Sequence, residues 1–204
     1  MPTAQAHVPH KMSYEEFLEW CDEDTLAEWV DGEVIIMSPA SYSHQTIEYF
    51  LTRILGIYVE QHGLGKIISA PFQMKTGTRL PGREPDLVFI TEENLGRIKG
   101  TYVDGPADLA VEIVSAESRQ RDRVDKLTEY EQGGVREYWI LDPLEQRADF
   151  YVLSENGRYE NRQPGINGIY CSTVITTGFW CNVSWLWQEP LPTTLSVLHE
   201  LGVV

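Results

Sequence analysis

The segment Asp108-Leu109-Ala110-Val111-Glu112-Ile113-Val114-Ser115 constrains the fold more than any other, because it sets a single carboxylate inside an otherwise apolar run. A short, continuous aliphatic stretch of this kind reads as a central strand buried on both faces. An unpaired charge there is expensive, so Glu112 requires a cation, a proton or a shell of hydrogen bonds. A glutamate held in that way marks a candidate functional site. The competing arrangement is an amphipathic strand with Asp108, Ala110, Glu112 and Val114 all facing water, and spacing alone leaves it open.

The surrounding sequence supplies the class. A polar helix is predicted over about 120–132, closed by Gly133-Gly134, and strand-like stretches follow at 138–141 and 149–153. A helix between strand runs implies a crossover, with a parallel pair near Glu112 and Tyr138. Upstream strands are expected at 67–74 and 86–91, separated by turn-rich sequence at 77–82, with further turn-rich sequence around Gly105-Pro106. Ser13 with Glu16 forms a capping-box pattern for a short helix ending near Cys21. Asp31-Gly32 joins two extended runs as a hairpin. Ile47, Phe50, Leu51, Ile54, Leu55, Tyr58 and Val59 keep a 3.6-residue period, which predicts a helix over 41–62.

The reading is an α/β fold, a mixed central sheet flanked by helices with extra C-terminal β segments. Trp180, Trp185 and Trp187 near the end are expected to cover the sheet or a partner subunit. Residues 1–12 are expected to form a flexible tail, and 13–204 one domain.

Charge removes several classes of function. The net charge is −15 and the sequence pI about 4.6, the wrong sign for a protein that coats nucleic acid non-specifically. Cys21, Cys171 and Cys181 are odd in number and not arranged as CxxC, so neither a disulfide framework nor a zinc ribbon is suggested. No run approaches the ~20 apolar residues of a membrane span, and the first residues lack a signal-peptide core. A cytoplasmic protein is the expectation.

Asp86, in Glu84-Pro85-Asp86-Leu87, stands at a strand entry because Pro85 cannot donate a ladder hydrogen bond. Pro-Asp alone is usually a turn, but two carboxylates on neighbouring strands can hold Mg²⁺, which commonly takes only one or two protein carboxylates. Asp122, Lys126 and Tyr130 are spaced i, i+4, i+8 and share a helix face that can meet the Glu112 strand. Arg119, Arg121 and Arg123 are the one local concentration of positive charge, suited to a phosphate backbone. An ion-pair network with Glu117, Asp122 and Asp125 is the plainer alternative. His44 lies one turn before Glu48 on the long helix.

Taken together, Asp31-Gly32-Glu33, Pro85-Asp86, Val111-Glu112-Ile113-Val114-Ser115, Lys126 with Tyr130, and Gly134-Val135-Arg136-Glu137-Tyr138-Trp139 with Asp142-Pro143 resemble the Uma family of restriction endonucleases, within the PD-(D/E)xK nuclease superfamily. The resemblance spans about residues 13–187 and implies a restriction-endonuclease-like core. It also implies a metal-dependent endodeoxyribonuclease using Mg²⁺, or Mn²⁺ as a substitute, acting on DNA as a homodimer. By the same resemblance, Asp86, Glu112 and the Ile113 carbonyl bind the metal. Val114 stands where the superfamily's usual lysine would be, so the resemblance assigns that role to Lys126, which would orient or deprotonate the attacking water. Glu28 matches an upstream glutamate that would bind a second metal or hold Lys126, with His44 and Tyr130 in support and Arg119, Arg121 and Arg123 on the nucleic acid. Ala116 replaces the family's proline after the strand. Two alternatives are a catalytically silent module for dimerisation or nucleic-acid binding, and a phosphohydrolase acting on small nucleotides.

Overall fold

The computed structural model describes residues 11–21 and 25–204. Most of the expected tail, residues 1–10, lies outside the described residues. Met12, placed in that tail by sequence, is instead packed into the domain: its N–H donates to the Gly32 carbonyl at 2.9 Å, and its own carbonyl accepts from Trp29 Nε1 at 2.9 Å.

Ser13 and Glu16 close a reciprocal capping box on α1 (Tyr14–Trp20). β1 (Ala27–Val30) and β2 (Glu33–Ile36) form the predicted hairpin, with Asp31 and Gly32 both at positive φ, as a tight two-residue turn demands. α2 (Tyr42–Gln61) starts at its Ser41 cap and buries every apolar residue of the predicted stripe.

The expected strand at 67–74 is two strands, β3 (Gly65–Ser69) and β4 (Gln73–Lys75), interrupted at Pro71, which has no N–H for a ladder. β5 (Gly82–Arg83) arises inside sequence that reads as turn, before β6 (Leu87–Thr91), β7 (Tyr102–Asp104) and β8 (Leu109–Ile113). The predicted helix at 120–132 begins as one π-helical stretch, Arg121–Asp125, and continues as α3 (Lys126–Gly133), stopped by Gly134 in the left-handed conformation. β9 (Glu137–Asp142), β10 (Arg147–Leu153), β11 (Tyr159–Asn161), β12 (Ile169–Cys171), β13 (Trp180–Asn182) and α4 (Thr194–Glu200) complete the chain. The last helix was not anticipated.

Two mixed sheets result. The larger has strand order β11-β10-β9-β8-β6-β3, with β8 parallel to β9 and antiparallel to β6, so the predicted crossover and parallel pair are present. The other runs β2-β1-β5-β4-β7. All five residues of β8 are buried, which excludes the amphipathic alternative. Leu109, Val111 and Ile113 pack with Leu51, Ile54 and Leu55 of α2 in the main apolar core. Ala110, with Val114 just beyond the strand, belongs to a second core that includes Tyr130 and Tyr138. Trp185 is buried in the main core, and Trp180 and Trp187 pack against it, so the tryptophans cover the chain's own sheet. Among the described residues, no helix is long and apolar enough to cross a membrane.

Candidate functional site

β6 and β8 pair with Leu87 opposite Val111, and one further step of that antiparallel register sets Asp86 opposite Glu112. Asp86 Oδ2 accepts the Ile113 N–H at 2.6 Å, and Oδ1 lies 3.2 Å from His44 Nε2 on α2. The carboxylate is thereby held by a strand and a helix at the mouth of a cleft of about 480 Å³. Glu112 stands deeper, with Oε1 accepting the Tyr130 hydroxyl at 2.8 Å and Oε2 at 2.8 Å from Lys126 Nζ.

Lys126 is the hub. Its ammonium is 2.9 Å from Glu28 Oε1 and 3.5 Å from Asp122 Oδ1, and the residue is 1% exposed. Glu28 reaches it from β1, in the second sheet, so the site is built across the seam between the two sheets. Asp122, Lys126 and Tyr130 all point inward from consecutive turns, as their spacing predicts, while Val124 is exposed. The π-helical stretch lies immediately ahead of Lys126, an irregularity often found where a helix serves a site.

Negative charge is in excess here. Burial pushes the Glu112 carboxyl well up from its ordinary range, and Asp122, Asp86 and Glu28 push it further, against the pull of Lys126. Burial likewise raises Asp122, despite Lys126 beside it. Burial raises Glu84 to about 7. Glu28 alone goes the other way: burial works against its charge, but Lys126, Arg83 and Arg121 hold it down at about 2. Burial would drive the Lys126 ammonium to neutrality, yet Glu112, Glu28 and Asp122 outweigh it and raise its pKa. His44 is raised too, the bond to Asp86 overcoming its burial.

This donor set fits a hard divalent cation. Oxygen ligands predominate, two acids face each other across adjacent strands, and the excess negative charge would fall on binding. Among the described residues, no group of three or more His, Cys, Asp or Glu side chains is arranged to hold a metal by itself. A site of Asp86, Glu112 and the Ile113 carbonyl, with waters completing the octahedron, needs no such group.

The three arginines separate. Arg119 pairs with Asp142 at 3.2 Å and Glu145 at 2.7 Å, and Arg123 with Asp149 at 2.6 Å and Asp142 at 3.5 Å. Ion pairing was the plainer alternative, but these two find their acids on the β9–β10 hairpin instead of among their chain neighbours. Arg121 alone of the three lines the cleft, 3.7 Å from Glu28.

Two further residues escaped sequence reasoning. Arg83, nearly buried on β5, bonds Glu28 at 2.9 Å and clasps Glu129 through two nitrogens at 2.7 Å each. Glu84 accepts from Gln73 Nε2 at 2.6 Å and lines the cleft. The signal was available in Arg83-Glu84 directly before Pro85-Asp86, where two charges precede an apolar strand.

Mixed sheets flanked by helices, with paired acids on adjacent strands and a lysine from the helix that follows at the cleft, define an α/β protein. The chain belongs to the Uma2 family, described as "Putative restriction endonuclease", whose family model matches residues 14–184. It is similar in structure to a crystallised "putative nuclease belonging to DUF820" from Anabaena variabilis, with a TM-score of 0.70 and 15% sequence identity over 86% of this chain and 97% of that one. At that identity the likeness shows the fold alone. No curated protein matches the chain.

Proposed function

We propose that the chain is a Mg²⁺-dependent endodeoxyribonuclease, with Mn²⁺ able to substitute. The observation that supports it most is the placement of Lys126 Nζ, 2.8 Å from Glu112 and 2.9 Å from Glu28, behind a cleft edged by Asp86. Asp86, Glu112 and the Ile113 carbonyl would hold the metal. When bound, it would polarise the scissile phosphodiester and lower the pKa of a bound water.

The chain's own groups have narrower tasks. Lys126, its pKa raised by the carboxylates of Glu112, Glu28 and Asp122, would orient the attacking water by donating a hydrogen bond. Glu28, pinned by Arg83, holds that ammonium in place; its contacts favour this over a second metal. Tyr130 fixes one Glu112 oxygen and His44 one Asp86 oxygen. Arg121 is the cation placed to meet a phosphate.

The test is calorimetric titration of Mg²⁺ and Mn²⁺ into the wild type and the Asp86→Asn, Glu112→Gln double variant, with plasmid cleavage measured on the same samples. Binding and cleavage should both vanish in the variant. Binding without plasmid cleavage, with turnover of free nucleotides, would instead identify a phosphohydrolase, and no binding at all a silent module.

A further inference from the structure

Duplex affinity comes mainly from cations that neutralise phosphates. This cleft is poor in them: among the described lining residues Lys126 and Arg121 face six carboxylates, those of Glu48, Glu84, Asp86, Glu112, Glu117 and Asp122. Arg119 and Arg123 are tied to Asp142, Glu145 and Asp149. The rest of the lining is of another kind. Leu26, Ile36, Met37, Pro39 and Ala40 edge the same cleft, and Leu26 and Ile36 remain 42% and 56% exposed.

α2 lines the cleft with His44, Gln45 and Glu48, and beyond that lining it carries exposed aromatic surface. Tyr42, next to the cleft residue Ser41, is 86% exposed, and Tyr49 is 64% exposed with the Arg53 guanidinium 5.1 Å from its ring centre. Seven residues of helix separate the two tyrosines by about 10 Å along the axis, close to three base steps at roughly 3.4 Å each. Aromatic and apolar surfaces of this kind bind the faces of bases, in any sequence, and contribute most where the bases are not already stacked inside a duplex.

Building on the nuclease reading above, we propose that the cleft takes DNA with unpaired bases, single strands or locally opened segments, and not intact duplex. The bases lie against Leu26, Ile36 and Tyr42, with Tyr49 and Arg53 extending the path along α2. Affinity then comes from base contacts that an acidic protein can make, and only the few phosphates near Arg121 and the metal need neutralising.

The experiment uses the full chain and one fluorescein-labelled 20-nucleotide DNA, offered as a single strand and as its duplex. Anisotropy in EDTA measures binding without turnover, and gel assays in Mn²⁺ measure cleavage. The single strand should bind at least ten times more tightly than the duplex, with a shallow salt dependence, and be cut in preference. Tyr42→Ala and Ile36→Ser change exposed residues and should leave the melting temperature unchanged while weakening single-strand binding about tenfold each. Duplex bound and cut as well as or better than the single strand, or single-strand binding indifferent to both substitutions, overturns this inference while leaving the nuclease assignment standing. No binding and no cleavage of either DNA overturns both.

Discussion

The two faces of β8 are buried equally but by opposite means. Toward α2, Leu109, Val111 and Ile113 enter an apolar core that extends through Phe89, Trp139 and Phe150 to the C-terminal tryptophans. On the other face, Glu112 meets Lys126 and Tyr130, and through Lys126 the buried Glu28 and Asp122. The first face needs only shape and volume. The second needs every charge to find a partner, because a buried ion left alone costs several kcal/mol. One strand therefore carries stability on its odd-numbered residues and candidate chemistry on Glu112.

The largest effect should come from Glu112→Gln, which keeps the shape and removes the charge. Cleavage should fall by more than about 10²-fold, beyond what outer partners of a metal site usually cost, while circular dichroism shows an intact fold. Next comes a matched pair of truncations. Lys126→Met should lose about 3–5 kcal/mol, because Glu112 and Asp122 are left buried without their cation while Glu28 keeps Arg83, and cleavage should disappear. Leu51→Ala on the apolar face should lose about 2–5 kcal/mol through a cavity, yet leave cleavage per folded molecule unchanged. Urea unfolding and plasmid assays on both variants check this, and equal loss of activity in the two would break the division between faces.

Glu84 offers a pH test of the charged side. Its carboxyl is raised to about 7 by burial, from an ordinary 4.5. Between those values the folded chain retains a proton that the unfolded chain has lost, so this group lowers stability as pH rises from about 4.5 through about 7. Glu84→Gln should therefore be neutral at pH 4 and stabilising above pH 7, by at most about 3 kcal/mol, read from denaturation midpoints across pH. The smallest effect should follow Arg119→Ala. Its side chain is 38% exposed, its Glu145 pair lies at the surface, and the buried Asp142 keeps Arg123 and the Leu144 and Glu145 N–H groups, so the loss should stay at about 1 kcal/mol, with cleavage unchanged; a raised KM would return Arg119 to the nucleic acid path.

Much of the structure was legible where a local rule suffices. The Ser13 capping box, the Asp31-Gly32 turn and the period of α2 each depend on neighbours within a few residues, and each stands where sequence reading set it. Asp122, Lys126 and Tyr130 were legible as one face because helical spacing alone brings them together. β5 and β7 were not, and β4 was read as one strand with β3, since strands of two or three residues have too little length to show alternation and exist because a partner strand is there. The helix α4 also went unread, a seven-residue segment whose buried Val197 belongs to the main core.

What the sequence by itself determined is that Glu112 needs a partner if its strand is buried, and that Asp122, Lys126 and Tyr130 share a helix face able to meet it; the burial of all five β8 residues settled the condition. Tertiary structure alone decided which charges meet. Glu28 and Arg83, 55 residues apart in the chain, meet because β1 and β5 are neighbours in one sheet, and Glu28 reaches Lys126 only because that sheet joins the larger one there. Arg119 and Arg123 turn to the β9–β10 hairpin while Arg121 faces the cleft. The reason is physical: helix and turn preferences act over a few residues, whereas the cost of a buried charge is met by whatever group the fold brings within about 3 Å, and spacing along the chain carries no record of that distance.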